Sequence, residues 1–407
     1  MSPAKIQVFF AQILQTPVET PMSQAFRNSD IQMFRDSVAQ FARKQIMPGA
    51  LQRDEKEFFD AKLWKALGEM GLMGITVPEK LGGAGGNILM STVALEEIGY
   101  CDAGVALSYG AHFILVVNNI YKNGNDEQRK KYLPKMASGE WIGSLCMTEP
   151  GAGSDNGGMS TTALRDGDHY VLNGTKTFIT NANDAQVFVV YAKTDPKGGN
   201  KGVSAFIVEK GPGLTVSKKF EKMGMKSSAT CEVVFDNVRV PVANRMGEEG
   251  SGFWQMLNNL DSERVALSGI SIGIARRALD IALKYAQDRK QFNKPIAEFQ
   301  MIQKMLADMA TQTEVARSVV YRAAEDIDHD PKGRNNKLAA IAKLFTSEMA
   351  TQVALMGVQV LGGYGYVREF EVERLVRDAK LMEIGAGTSE VHRMIIAREM
   401  LRSGKGV

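Results

Sequence analysis

The chain has 407 residues, enough for two or three domains rather than one. Its composition, 44% hydrophobic and 23% charged, is that of a soluble globular protein and excludes a disordered or fibrous chain. With 49 basic and 46 acidic residues the net charge is +3, which is too balanced to indicate nucleic acid as a partner.

The cysteines and histidines argue against a disulfide framework and against a metal site. Cys101, Cys146 and Cys231 are widely spaced, and the four histidines are dispersed without metal-ligand spacing. This pattern fits a reducing compartment. We expect the bacterial cytoplasm, with the mitochondrial matrix as the alternative.

Residues 1–24 are predicted to be a loosely ordered N-terminal extension. An apolar stretch from Ile6 to Leu14 weakly resembles the core of a signal peptide, but no convincing cleavage site follows it. The apolar run from Phe113 to Val117 is stopped by Asn118 and Asn119, so no membrane-spanning helix is predicted.

Residues 25–145 are predicted to form an N-terminal α-helical domain. Ile31, Phe34, Val38 and Phe41 recur at three- and four-residue spacing, which gives one apolar helix face. The glycine-rich stretch 82–86 interrupts the helical pattern and is predicted to be a loop.

Residues 146–258 change in character and predict a middle antiparallel β domain. Three short runs are rich in β-branched and aromatic residues: Ala185 to Ala192, Val203 to Val208, and Cys231 to Phe235. Each is bounded by Gly, Pro, Asp or Asn, which is typical of strands that end in turns.

Residues 259–407 return to helical periodicity and predict a C-terminal four-helix bundle. Long helices are expected at about Asp261 to Asp288, Glu298 to Ile327 and Asn335 to Leu361, with two shorter helices after the glycine-rich break at 362–365. The fold class is therefore α+β, in the order α, β, α.

Three glycine-containing segments and one carboxylate are candidates for chemistry. The segment from Thr148 to Asp155 and the segment from Gln359 to Gly365 could each bring bare backbone close to a ligand, although a turn and a helix cap explain them as well. In the segment from Ile384 to Glu390, Thr388 can cap the next helix, whose N-terminus could also bind an anion.

Glu263 stands out because it lies on an apolar helix stripe with Leu260, Leu267, Ile270 and Ile274. A carboxylate in such a place is costly unless it is paired or used, and burial raises its pKa toward the range of a general base. The alternative is a partner arginine across the bundle.

Together these segments resemble the acyl-CoA dehydrogenase family from about residue 28 to 403. The resemblance rests on Cys146 to Asp155 and on the stretch from Gln359 through the 377–380 Arg-Asp-Ala-Lys segment to Glu390. It implies FAD bound between the β domain and the bundle. The implied cofactor contacts are Leu145, Met147, Thr148, Gly153, Ser154, Phe178, Thr180, Arg289, Gln300, Gln359, Gly362, Gly363, Thr388, Ser389 and Glu390. Arg289 and Gln300 match positions that reach the FAD of a neighbouring subunit, which implies a homotetramer.

One departure from the family pattern concerns the catalytic base. Most members have a catalytic Glu just before the glycine that matches Gly387, and this chain has Ala386. The isovaleryl-CoA dehydrogenase subgroup shares the Gly-Ala pair and uses a Glu within a Leu-Asp-x-Glu-Arg segment, which here places the base at Glu263. Ala386 keeps the backbone N–H that, in the family, donates to the thioester oxygen.

The resemblance implies α,β-dehydrogenation of a short branched acyl-CoA such as isovaleryl-CoA, as in leucine degradation, with electrons passed to electron-transfer flavoprotein. The implied substrate contacts are Ser154, Trp254, Asp261, Arg264, Leu267, Gly385, Ala386 and Gly387. The alternatives are a citronellyl-CoA-like or carrier-bound prolyl thioester as substrate, a non-catalytic dehydrogenase-like binding subunit, and a flavin oxidase.

Overall fold

The computed structural model describes residues 29–331 and 336–404. The predicted extension at residues 1–24 lies outside this part of the chain. The N-terminal region is helical, as predicted, and its helices are α1 (Ser29–Phe41), α2 (Ala50–Lys56), α3 (Ala61–Glu69), α4 (Ile88–Cys101), α5 (Ala103–His112), α6 (Asn118–Asn123) and α7 (Asp126–Ala137). The glycine-rich stretch 82–86 is a loop that leads into α4, as predicted.

Asn118 and Asn119 end the apolar run, but they do not end the helix, which continues through both. A π-helical turn, Phe113–Val117, joins α5 to α6. The asparagine amides are satisfied internally, since Asn118 donates to Asn259 Oδ1 at 3.1 Å and Asn119 to the Tyr191 hydroxyl at 2.9 Å. By length and hydropathy Ala103–Asn123 could cross a membrane, but 83% of its most apolar window is buried inside the protein, as in a core helix.

The middle region forms one eight-stranded sheet, with strand order β6-β7-β3-β2-β4-β5-β8 and β1 paired to β4. Its strands are β1 (Gly143–Cys146), β2 (Thr162–Asp166), β3 (His169–Thr180), β4 (Val187–Lys193), β5 (Val203–Glu209), β6 (Leu214–Val216), β7 (Thr230–Pro241) and β8 (Arg245–Met246). The predicted antiparallel pairing holds for most neighbours, but β4 pairs in parallel with β1 and, at Thr162, with β2. The sheet is therefore mixed.

Strand β4 is buried on both faces, which explains why its sequence is a continuous apolar run rather than an alternating one. Phe188 and Val190 pack into a core within the β domain. Val187, Val189 and Tyr191 face the opposite way and pack against residues of the π-helical turn, α6 and α7. This second core fixes the β domain onto the N-terminal helices.

The C-terminal region is a helical bundle, as predicted, built from α8 (Gly252–Asp288), α9 (Gln300–His329), α10 (Asn336–Leu361), α11 (Val372–Met382) and α12 (Ser389–Ser403). A short hairpin of β9 (Lys290–Gln291) and β10 (Lys294–Pro295) joins α8 to α9. The predicted glycine break after α10 is a 3-10 turn, Gly362–Tyr366. Helix α8 has 37 residues and so spans about 55 Å.

Helix α8 crosses α4 at close range because three glycines line the contact. A Cβ added to Gly269 would lie 2.4 Å from the Thr92 carbonyl oxygen, and one added to Gly273 would lie 2.4 Å from the Glu96 carbonyl oxygen. On the other helix, a Cβ on Gly99 would lie 3.0 Å from Ile270 Cα. The glycines thus let the two backbones approach and fix α8, which carries Glu263.

Candidate active site

The carboxylate of Glu263 lies on the buried face of α8, inside the helical core. The residue is 4% exposed, and the members of its apolar stripe, Leu260, Leu267, Ile270 and Ile274, are buried with it. Burial raises the pKa of Glu263 to about 7, although Arg264 and Lys343 act in the opposite direction. Within residues 29–331 and 336–404, Glu263 makes no hydrogen bond and no ion pair.

The cation that faces Glu263 from across the bundle is Lys343, so the alternative of a partner arginine is not what the structure shows. Arg264 follows Glu263 on α8, but its guanidinium binds Asp261 Oδ1 at 3.1 Å. With its amide oriented to donate, Asn336 reaches the two oxygens of Asp261 at 2.6 and 2.9 Å. Arg264 is therefore paired with Asp261, and Glu263 has no ion-pair partner among the described residues.

The turn from Gly385 to Thr388 carries the segment where Glu is replaced by Ala. Ala386 adopts φ 55° and Gly387 φ 95°, so a residue with a side chain sits in the left-handed region at this point. Such backbone strain costs about 1–3 kcal/mol and concentrates at functional sites. The Thr388 hydroxyl accepts from Val391 N at 3.3 Å and caps α12, as the sequence predicted.

Two side chains that sequence reasoning missed hold this turn. Lys343 on α10 donates to the Gly387 carbonyl oxygen at 2.7 Å, and it is only 2% exposed. His392 on α12 is fully buried against the backbone of Ala386 and Gly387. Burial, together with Lys343 and Arg264, lowers the pKa of His392 to about 3, so its ring is neutral. A lysine among the small residues of α10 was the signal that could have revealed Lys343.

The loop after β1 and the end of β3 come together on the β domain. Leu145 lies on β1, and Thr177 N, on β3, donates to the Thr148 carbonyl oxygen at 2.8 Å. At the other end of the contact, Ser144 Oγ donates to the Thr180 carbonyl oxygen at 2.8 Å. The predicted flavin-lining segments around Met147 and Thr180 are thus neighbours.

A buried ion pair beneath this loop also escaped the sequence analysis. Lys176 Nζ donates to Glu149 Oε1 at 2.8 Å and to the Met147 carbonyl oxygen at 3.0 Å. Glu149 also accepts from the backbone N–H groups of Ser160 and Thr161. The pKa of Glu149 is about 2, because the opposing effect of burial is outweighed by Lys176 and these donors. The pair fixes the backbone of residues 147–149 from below.

Phe178 presents a large aromatic ring at a strained position of β3. Its φ is 58°, at an irregularity in the β3–β7 register between Lys176 and Ile179, and 66% of the residue is exposed. Gly153 and Ser154 in the nearby loop are also exposed, as is Trp254 at the start of α8, at 55%. Phe178 and Trp254 thus offer aromatic surface that the core of the chain does not cover.

A second group of predicted cofactor residues lies at the far end of the bundle. Arg289, Gly362 and Gly363 line a cleft of about 770 Å³ together with Tyr285, Ile296 and Phe370. Gln300 begins α9 and Gln359 lies in the last turn of α10, both exposed. Because Glu263 and Arg289 are 26 positions apart along α8 and its end, they are separated by about 39 Å.

The residues present fit a flat cofactor with a phosphate-bearing tail. A Cβ added to Gly151, Gly153 or Gly363 would meet none of the described residues within 4 Å, so packing against them does not require glycine there. Bare backbone beside open space lets a ligand approach closely. The exposed ring of Phe178 and the capped N-terminus of α12 add an aromatic surface and backbone donors.

Profiles of one family match the whole α-β-α arrangement in order. The N-terminal domain of acyl-CoA dehydrogenases matches residues 28–140, the middle domain 144–238 and the C-terminal domain 250–401. The chain belongs to the acyl-CoA dehydrogenase family. Acyl-CoA dehydrogenases are flavin-dependent oxidoreductases, so the chain is an enzyme of this class.

Several acyl-CoA dehydrogenases of known name are similar to this chain over 91% of its length. The mitochondrial isovaleryl-CoA dehydrogenase of rice (Oryza sativa subsp. japonica) is 47% identical over 91% of its own length. A probable acyl-CoA dehydrogenase, YngJ, of Bacillus subtilis is 46% identical over 98% of its length. The mitochondrial 2-methylacyl-CoA dehydrogenase of Solanum tuberosum is 45% identical over 90% of its length.

Solved structures share the fold across nearly the whole chain. Butyryl-CoA dehydrogenase from Megasphaera elsdenii has a TM-score of 0.89 at 41% identity, covering 91% of this chain and 98% of that one. A prolyl acyl carrier protein oxidase has a TM-score of 0.88 at 35% identity, covering 92% and 99%. PigA, solved with FAD and proline, has a TM-score of 0.89 at 33% identity, covering 93% and 99%.

Proposed function

We propose that this acyl-CoA dehydrogenase binds FAD and oxidises a short branched acyl-CoA, isovaleryl-CoA to 3-methylcrotonyl-CoA, in leucine degradation. The observation that carries the proposal is Glu263, a buried carboxylate without an ion-pair partner among the described residues. The similarity to the rice isovaleryl-CoA dehydrogenase supports the choice of substrate.

In the proposed mechanism, Glu263 accepts the proton and the Ala386 N–H stabilises the negative charge. Glu263 removes the α-proton, and a pKa of about 7 leaves the carboxylate basic enough for this task and partly ionised at neutral pH. The Ala386 N–H donates to the thioester oxygen as negative charge develops there. One such donor is worth about 2.7–4 kcal/mol in a well-studied oxyanion hole. When bound, FAD supplies the acceptor for the β-hydride.

The proposed FAD contacts form two groups. The first is proposed to lie near the reacting carbons and consists of Leu145, Met147, Thr148, Gly153, Ser154, Phe178, Thr180, Thr388, Ser389 and Glu390. The second lines the distant cleft and consists of Arg289, Gln300, Gln359, Gly362 and Gly363. A separation of about 39 Å between Glu263 and Arg289 favours a cleft that serves a neighbouring subunit, as in a homotetramer.

The acyl pocket is proposed to be short and wide. Gly385 and Ala386 place little bulk beside the β-carbon, which leaves room for a methyl branch. Leu267 lies one turn beyond Glu263, is 5% exposed and packs toward Gly110 and the Leu95 side chain, so it limits chain length. Ser154, Trp254, Asp261, Arg264 and Gly387 remain proposed substrate contacts.

A second candidate substrate is a prolyl thioester on a carrier protein, because the fold is shared with a prolyl acyl carrier protein oxidase. The natural acceptor is proposed to be electron-transfer flavoprotein, and oxygen consumption with substrate would instead reveal an oxidase. The compartment stays a prediction, since the relatives include plant mitochondrial enzymes and a bacterial one.

The test is anaerobic bleaching of the bound flavin by isovaleryl-CoA, with Glu263→Gln and the exposed-site control Glu127→Gln beside the wild type. We expect wild type and control to bleach and Glu263→Gln to stay yellow. A panel of citronellyl, butyryl, 2-methylbutanoyl and prolyl thioesters then ranks the substrates. A yellow wild type with isovaleryl-CoA would reject this substrate, and fast bleaching of Glu263→Gln would reject the base. Protein purified without any flavin would favour a binding subunit.

A further inference from the structure

Lys343 is a buried lysine that contacts the turn beside the proposed reaction site and forms no ion pair among the described residues. It is 2% exposed, on a face of α10 shared with Ala339, Ala340 and Thr346, which are all fully buried. Its ammonium donates to a backbone carbonyl, that of Gly387, at 2.7 Å. No carboxylate of the described residues lies within ion-pair distance of it. Burying a charge in this way is costly, which calls for a compensating role.

The carbonyl that Lys343 holds belongs to the turn that carries the Ala386 N–H. Both Ala386 (φ 55°) and Gly387 (φ 95°) are in the left-handed region, so the turn needs support to keep this shape. Lys343 supports it from α10. His392 supports it from α12, because a Cβ on Gly387 would already lie 3.1 Å from His392 Nε2. The Ala386 N–H therefore lies in a turn whose Gly387 end is held by Lys343 and His392.

We propose that Lys343 is a positioning residue for α-proton removal: it clamps the Gly387 carbonyl so that the Ala386 N–H points at the thioester oxygen, and it is the buried positive charge opposite Glu263. The inference rests on the proposed function, because Lys343 acts only through Ala386 and Glu263. It adds a role for a side chain outside both segments that carry the family resemblance.

The proposed electrostatic effect of Lys343 on Glu263 can be tested by varying the pH. Arg264 on α8 and Lys343 on α10 both lower the pKa of Glu263, while burial raises it to about 7. Tyr191 on β4 is also close enough to interact with Glu263. Facing Lys343 are Arg264, Glu263, Glu383, Glu348 and His392. Removing Lys343 leaves Arg264, which Asp261 binds at 3.1 Å, as the cation that still acts on Glu263.

The step can be isolated with a thioester that has α-protons and no β-hydrogen, such as 3,3-dimethylbutanoyl-CoA. The α-C–H bond breaks, the proton passes to the Glu263 carboxylate, and the electron pair moves onto the thioester oxygen beside the Ala386 N–H. Hydride transfer cannot follow. In D₂O the carboxyl group exchanges its proton and returns a deuteron to the α-carbon, so the reaction appears as deuterium incorporation by NMR.

The experiment compares the flavin-loaded wild type with Lys343→Met, Lys343→Arg and the control Lys65→Met, whose side chain is 80% exposed in α3. We expect Lys343→Met to slow exchange by about tenfold to a hundredfold, since small misplacement of catalytic groups has effects of this size. Its pH midpoint should move upward, because the pKa of Glu263 rises without the cation. Lys343→Arg should restore most of the rate, and Lys65→Met should match the wild type.

The outcomes separate this inference from the proposed function. Wild-type exchange with an equally fast Lys343→Met and an unmoved pH midpoint would overturn the role of Lys343 alone. A wild type that binds the thioester but does not exchange would reject the proposed function instead. Equal losses in the Met and Arg variants with lowered melting temperatures would show a structural role only. If Lys343→Met does not fold, Lys343→Gln takes its place, because its amide keeps a donor and lacks the charge.

Discussion

Glu263 shows how a single buried group links function to stability. Its folded-state pKa of about 7 exceeds the ordinary value of 4.5 because the interior disfavours the charged form. Between these values the folded protein binds more protons than the unfolded chain, so its stability falls as pH rises through this window. The proposed role of Glu263 as the base therefore comes with a destabilising charge at neutral pH.

Replacement of Glu263 by Gln should therefore stabilise the substrate-free holoenzyme at pH 8. The gain is expected to approach roughly 3 kcal/mol at most and to vanish as pH approaches 4.5. Thermal or urea unfolding of wild type and Glu263→Gln at several pH values measures it. Glu127→Gln is the matched control, since that side chain is 85% exposed and keeps its water. A Gln variant less stable than wild type at pH 8 would contradict the burial argument.

The carboxylate could be predicted from sequence, and its surroundings could not. Glu263 interrupts an apolar stripe on one helix, and that pattern is local. Lys343 and His392 reach the same site from helices 80 and 129 positions later, and helical periodicity does not say which faces meet. The glycine break at 362–366 and the cap at Thr388 were also predictable, because both depend on residues within one turn.

At the scale of elements, the sequence pattern did not show which strands pair when they are far apart along the chain. The runs that became β4, β5 and β7 were visible as β-branched segments, but β1 has only four residues and its parallel pairing with β4 joins positions 44 apart. Strand β4 is buried between two cores, so both of its faces are apolar. Its sequence therefore does not alternate, and the pattern does not show in which direction its neighbour runs. The same limit concealed Lys176 and Glu149, which meet between β3 and the loop after β1.

The crossing of α4 and α8 gives a prediction at the same scale. Gly273→Ala should destabilise the protein by about 1–3 kcal/mol, because the new Cβ would meet the Glu96 carbonyl oxygen at 2.4 Å and the Tyr100 nitrogen at 2.5 Å. These are backbone atoms, so one helix must move, and α8 also carries Glu263. Denaturant unfolding and the bleaching rate together measure this.

The matched control for the helix crossing is Gly211→Ala. A Cβ there has its nearest neighbour at 3.9 Å, and the backbone is not in the left-handed region. Equal stability of both variants would mean that the helices separate without cost. A Gly273→Ala enzyme that is less stable but bleaches at the wild-type rate would show that the shift of α8 does not reach Glu263.

At the scale of the whole molecule, Glu263 and the distant cleft lie about 39 Å apart along α8, so one subunit is not expected to bring both to the same reacting centre. Symmetric assembly solves this if the cleft of one copy completes the site of another. Gly363 is a suitable place to test the idea. A Cβ added there meets none of the described residues within 4 Å, so a larger side chain can start into the cleft and is expected to block a ligand.

Intersubunit complementation distinguishes shared from self-contained sites. Glu263→Gln and Gly363→Trp should each be inactive alone, the first for want of a base and the second for want of an open cleft. Co-expressed with separate tags and purified as mixed oligomers, they should regain activity, because a Glu263 from one copy then meets an intact cleft from the other. Random pairing would restore about a quarter of the sites. If each cleft serves its own subunit, every site keeps one defect and the mixture stays inactive.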